Sequence, residues 1–139
     1  MGKITRKSEL RETVFLILFS ADYHDHKEMT GQIRNFFEGE DEYTEAEKVY
    51  VAEKVLNVCE KMEYIDSELD KISVGWKVKR MTQADRTALR LAYYEIYYDS
   101  VPVPTAINDA VELAKNYGTD NSGSFVNGIL ARVAKNAGK

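Results

Sequence analysis

The sequence is poor in everything that would staple a small domain or break it into many turns. It has one cysteine, Cys59, so no internal disulfide forms. Its two prolines, Pro102 and Pro104, share a single VPVP stretch, which leaves the rest of the chain free to run as helix. The alternating apolar and polar residues of half-buried strands are missing. No apolar run approaches the roughly 20 residues that a membrane-spanning helix needs. No glycine-rich phosphate loop and no G-x-S-x-G elbow occurs, so the familiar sequence marks of nucleotide hydrolysis and of serine hydrolysis are absent.

What is present is an ordinary globular composition. The chain has 139 residues, 44% hydrophobic and 30% charged. A chain of this length buries roughly two-thirds of its unfolded surface as one domain. Cys59 lies on an apolar helical stripe and reads as core filler rather than a reactive thiol. Basic residues precede VFLILFSA (Val14 to Ala21), the order of a short secretory signal. Glu9 and Glu12 lie in that flank and no small-residue cleavage site is clear, so the stretch reads as a buried first helix of a cytoplasmic protein.

The formal net charge of −4 hides a segregation. Glu38 to Asp70 carries 12 acids and 3 bases, whereas the other residues carry 16 bases and 11 acids. Within Met1 to Arg11, Lys3, Arg6, Lys7 and Arg11 oppose only Glu9. A segregated field attracts an anion even when the sum is negative. A solvated helix end carries the same residues, so charge alone leaves both readings open. The acidic run reads as a solvated face.

Helical period governs nearly the whole chain. Helices are expected over about 5–22, 30–37 (ending at Gly39), 43–73, 82–99, from Pro104 to Tyr117, and from the Ser122 region onward. In the third, the stripe Val49, Ala52, Leu56, Cys59, Met62, Ile65, Leu69, Ile72 steps repeatedly by three in its middle. That drift predicts a kink or two consecutive helices near Cys59 to Met62, with the halves facing different cores. Thr82 and Asp85 make a partial capping box for a central helix, which carries Ala84, Ala88, Leu89, Leu91, Ala92, Tyr93, Ile96 and Tyr97 around most of its circumference. The next helix is expected to bury Ile107, Ala110, Val111, Ala114 and Tyr117. Gly118 should end it through a positive φ, and Asn121 or Ser122 should cap the last helix. The fold class is therefore all-α, six to seven helices with short connections, antiparallel and gathered into two small bundles. We read a single domain over 1–139, with helical subdomains of about 1–60 and 61–139.

Chemistry-bearing constellations are few. His24 and His26 form an H-x-H in a polar loop and read as exposed histidines; no metal or cofactor is expected. Arg86 and Arg90 share one helix face, either as an ion pair inside the bundle with Glu95 or Glu112, or facing a partner. The small, polar break Gly118 to Ser124 leads into Phe125, Val126, Asn127, Gly128. A helix N-terminus suits phosphate, and Ser122, Ser124 and Asn127 add hydrogen-bonding groups. Phe125 offers a ring on which an unpaired base gains about 1–3 kcal/mol by stacking. Gly123 and Gly128 permit close backbone approach. An ordinary cap, with Phe125 in the core and Gly128 making room for a neighbouring helix, explains the same residues.

The order of four segments resembles a known family. TRKSELRETVFLILF, DRTALRLAYYEI, VPVPTAINDAVELAKNYG and SGSFVNGILARV are similar to characteristic stretches of the bacterial transcription antitermination factor NusB family, over nearly the whole chain. The resemblance implies an all-α fold of two helical subdomains and a non-enzymatic role. It implies binding of the single-stranded boxA element of ribosomal RNA leaders together with NusE, which doubles as small-subunit ribosomal protein S-ten. That assembly joins elongating RNA polymerase and suppresses termination. Lys3, Arg6, Lys7 and Arg11 are thereby implied as RNA-backbone contacts, and Asn121, Ser122, Phe125 and Asn127 as further RNA-side residues. Asp85, Arg86 and Phe19 are implied on the side facing the protein partner. The resemblance also allows a homodimer.

The match has departures. Ser8 follows Arg6-Lys7 where members often carry a third base, Leu16 replaces a common Gln, and Asn121 replaces a common acid. The last change favours an anionic ligand. Two rivals stand beside this reading. One is the NusB-like domain of ribosomal RNA cytosine methyltransferases, disfavoured because no methyl-donor segment follows Lys139. The other is a helical protein adaptor that binds no RNA and uses the acidic face. If about four phosphates are neutralised, RNA affinity should fall roughly 50-fold between 50 and 200 mM salt.

Overall fold

The computed structural model describes residues 6–22 and 26–139, with six α-helices and no strand among them. Lys3, His24 and the His26 side chain lie outside what is described. The chain divides into two compact units, Met1–Glu60 and Lys61–Lys139.

In the first unit, α1 (Arg6–Leu18) is apolar on most sides. Leu10, Val14, Phe15, Ile17 and Leu18 are buried, and only Leu16 of the apolar run stands outside, 37% exposed. That exposure explains why a polar residue is at home at this position. A 3-10 turn, Phe19–Asp22, follows, with the Ser20 hydroxyl donating to the Ile17 carbonyl at 2.7 Å. Helix α2 (His26–Phe37) buries Met29, Ile33 and Phe37 one turn apart, and Gly39 at φ 77° supplies the left-handed residue that lets the chain leave it.

Helix α3 (Glu45–Ile72) begins with a reciprocal capping box. The Thr44 N–H donates to Glu47 Oε1 at 2.9 Å, and the Glu47 N–H donates to Thr44 Oγ1 at 3.1 Å. The segment does not break into two consecutive helices: α3 is one helix of 28 residues, and the division between units falls inside it. The buried stripe differs from the expected one in its first half. Val49 is 54% exposed, while Val51, Val55 and Val58 are buried and continue into Met62, Ile65, Leu69 and Ile72. Those positions mix steps of four and three, an average near the helical repeat, so one unbroken helix keeps them on one face. Cys59 is buried as core filler.

In the second unit, α4 (Gln83–Tyr98), α5 (Val103–Tyr117) and α6 (Ser122–Asn136) pack against one another. Helix α4 is central, buried from Ala84 to Ile96 apart from Arg86, with Tyr97 and Tyr98 emerging at its end. Its small buried residues Ala84, Ala88 and Ala92 recur one turn apart, and α5 contributes Ala106, Ala110, Leu113 and Ala114. Ile107 and Val111 are only half-buried and Tyr117 is exposed, so the α5 stripe is rotated by about one position from the expected one. Small residues win the buried face because α5 touches both α4 and α6. Arg90 does form an internal ion pair, but its bidentate partner is Asp66 of α3: Nε to Oδ1 and Nη2 to Oδ2 are both 2.8 Å. Asp70 accepts the Val78 N–H at 2.8 Å, fixing a 3-10 turn, Val78–Arg80, ahead of α4.

Candidate nucleic-acid interface

The basic start of α1 runs against the helix dipole, whose N-terminal end repels cations. Arg6 and Lys7 are both exposed there. Arg6 is answered within its own unit. Its Nε and Nη2 donate to Glu47 Oε2 and Oε1 at 2.8 and 2.9 Å, Nη1 donates to Glu9 at 3.0 Å, and Nη2 also reaches the Glu42 carbonyl at 3.2 Å. The guanidinium lies 5.1 Å from the centre of the Tyr43 ring. The Arg6 guanidinium and the Thr44 N–H hold the Glu47 carboxyl down to about 2, and Glu47 and Glu9 push Arg6 above its ordinary range. Arg11 corrects the sequence expectation. It is 4% exposed, because it sits three and four residues before Val14 and Phe15 on the buried side of α1, and a buried side chain offers no surface to a phosphate. Phe19 is half-buried and meets Phe15 edge-on at 4.9 Å.

The start of α6 is built differently. Gly118 ends α5 at φ −109°, not at a positive φ. Glycine is needed there for space: a Cβ would stand 2.6 Å from the Ala114 carbonyl oxygen and would press on the Ser122 hydroxyl. Ser122 is also corrected, since it is 1% exposed and its hydroxyl accepts the Thr119 N–H at 2.9 Å. It folds the loop from inside. Asn121 occupies the N-cap position without a side-chain cap and stays exposed, as does Asn127. Gly128 has nothing within 4 Å of where a Cβ would be, so it makes room for no neighbour.

Three of the expected residues come together in this second unit. Asp85, Asn121 and Phe125 line a pocket of about 370 Å³ with Trp76, Arg80, Thr82 and Thr119. The Thr82 hydroxyl caps α4 by accepting the Asp85 N–H at 3.2 Å, which fixes where the Asp85 side chain starts. Asp85 is 7% exposed, and its Oδ1 is buried with no hydrogen-bond partner. A buried carboxylate oxygen without a donor is costly, and a ligand or partner that brings one regains that cost. Arg86 is held back, its Nη1 donating to the Met81 carbonyl at 2.7 Å, so it braces the approach to α4. Trp76, half-exposed beside Gly75 (φ 85°), and Arg80 join the pocket without being expected from the sequence. The available signal is a lone tryptophan and a base placed in a connector, where packing does not require them.

Among the described residues, no group of three or more His, Cys, Asp or Glu is placed to hold a metal ion, and no helix is long and apolar enough to cross a membrane. The described residues are all-helical, with a pocket lined by Trp76, Phe125 and Asp85 at the start of α6. The NusB family profile matches residues 8–135. A transcription antitermination protein NusB of Agathobacter rectalis is 43% identical over 129 residues, covering 92% of this chain and 98% of that protein. A crystal form of NusB from T. maritima superposes with a TM-score of 0.82 at 32% identity, covering 94% of this chain and 92% of that one. A structure of antitermination factors NusB and NusE in complex with double-stranded RNA gives 0.81 at 26% identity, covering 94% and 96%. The chain belongs to the NusB family, a family of transcription antitermination proteins rather than of enzymes.

Proposed function

We propose that this chain binds the single-stranded boxA element of ribosomal RNA leaders together with NusE, in the cytoplasm, and joins elongating RNA polymerase to suppress termination. Its family membership and its similarity to a NusB that is held with NusE and RNA support the reading. The observation that carries it is the pocket at the start of α6. Phe125 stacks an unpaired base, and Asn121 offers an amide at its edge. Asp85 offers its unpartnered oxygen to a donor group of NusE. Lys7, at the start of α1, and Arg80, at the pocket, supply exposed cations for the RNA backbone.

The burial of Arg11 and the internal pairing of Arg6 lower the electrostatic expectation. With about two phosphates neutralised, the single-strand salt slope is about −1.4, so affinity falls about sevenfold between 50 and 200 mM salt. The test is binding of a short boxA-like RNA and a scrambled control, with and without NusE, at those two salt concentrations. Preference for boxA that NusE strengthens supports the reading. Equal binding to both RNAs, or none, contradicts it and favours the protein-adaptor alternative.

A further inference from the structure

Arg6 stands exposed beside Lys7 at the start of α1, and its guanidinium already holds an anion. Glu47 presents both carboxylate oxygens to Nε and Nη2, at 2.8 and 2.9 Å, and Glu9 takes Nη1 at 3.0 Å. This two-pronged geometry is the one by which an arginine grips a phosphate. The Arg6 side chain is 42% exposed and that of Glu47 21%, so the guanidinium stays open to solvent on one side and an incoming phosphate competes with the carboxylate for it. Tyr43, with its ring centre 5.1 Å from the guanidinium, keeps that group oriented.

Accepting the RNA-binding function proposed above, we propose that Glu47 is an internal stand-in for an RNA phosphate, and that its clamp on Arg6 sets how tightly and how salt-dependently the chain binds RNA. While Glu47 holds Arg6, that guanidinium is withheld from the RNA backbone, and a phosphate reaches it only by displacing the carboxylate. Removing the charge of Glu47 releases Arg6 in advance. Glu47 also closes the capping box at the start of α3, through the Thr44 N–H at 2.9 Å. Capping boxes accept Gln as well as Glu, so Glu47→Gln keeps the helix start and removes only the charge.

The test compares wild type, Glu47→Gln, Arg6→Gln and the double variant for binding to a boxA-like single-stranded RNA over a range of salt. One newly available phosphate contact steepens the slope by about 0.7 and strengthens binding about fivefold at 0.1 M salt. The gain must vanish in the Arg6→Gln background. An unchanged or weaker affinity of a folded Glu47→Gln overturns the proposal, and so does a gain of equal size without Arg6, which would mark general charge removal. If Glu47→Gln loses its helical circular dichroism, Glu9→Gln replaces it, with a smaller gain through Arg6 expected and no gain overturning the proposal. Failure of the wild type itself to bind RNA removes the proposed function and this proposal with it. Wild-type binding with an unaltered Glu47→Gln removes the clamp alone.

Discussion

The starts of α1 and α6 handle polar groups in opposite ways. At α1, Arg6 is gripped by Glu47 and Glu9 and Arg11 is buried, which leaves Lys7 as the exposed charge. At α6, an exposed amide and a half-buried ring border a pocket that Asp85 also lines, and the Asp85 Oδ1 is buried without a partner. The α1 start has the sequence of a binding surface, and in structure two of its three described cations are paired or buried. The α6 start has the sequence of an ordinary cap, and in structure it keeps Asn121 exposed and Phe125 at a pocket. The lesson is that a count of charges does not reveal an interface, because the fold can pair or bury the charges that the sequence displays.

The comparison can be broken most heavily at its scaffold. Asp66→Ala removes the bidentate carboxylate of the buried Arg90, and a loss of about 3 kcal/mol is expected in urea unfolding. Gly118→Ala forces a methyl group against the Ala114 carbonyl and Ser122, so about 1–3 kcal/mol should be lost, with the loop before α6 disturbed. Phe125→Ala should leave unfolding closer to wild type and weaken boxA-like RNA by about 1–3 kcal/mol, near tenfold in a titration. Gly128→Ala goes the other way. In an exposed helix interior with open space around the new methyl, it should stabilise by about 0.5–1 kcal/mol in the same unfolding measurement.

The smallest effect sharpens the α1 side. The Glu47 carboxyl is lowered from an ordinary 4.5 to about 2, first by Arg6 and then by the Thr44 N–H. A depressed carboxyl stabilises the fold above its unfolded value and loses that contribution as pH falls through its folded value. The melting-temperature difference between wild type and Glu47→Gln should therefore be flat above about pH 5.5 and fade as pH falls from 4.5 towards 2. A difference that persists to pH 2 would show that the Arg6–Glu47 pair is not its source.

Much of the fold is legible in the sequence because its signals are local. The VPVP stop before α5, the Thr82 cap of α4 and the apolar run of α1 each follow from neighbouring residues. The α3 stripe is ambiguous in sequence because Val49, Val51, Ala52, Val55 and Leu56 offer two overlapping apolar faces, and only packing chooses between them. The Thr44-x-x-Glu47 spacing is that of a capping box, yet nothing in it reveals that Arg6 joins, since the pair is separated by 41 residues. The gathering of Trp76 and Arg80 with Asp85, Asn121 and Phe125 likewise depends on tertiary packing. Gly118 does end α5, but the constraint on it is room beside Ser122, not a left-handed backbone, and no local pattern distinguishes the two.

The most direct measurement is a titration of wild type and Phe125→Ala with boxA-like RNA and a scrambled control in the presence of NusE. The wild type should prefer boxA, and Phe125→Ala should bind it about tenfold more weakly. Equal binding of the two RNAs by the wild type, or a Phe125→Ala indistinguishable from it, would contradict the assignment of the α6 start as the base-reading site.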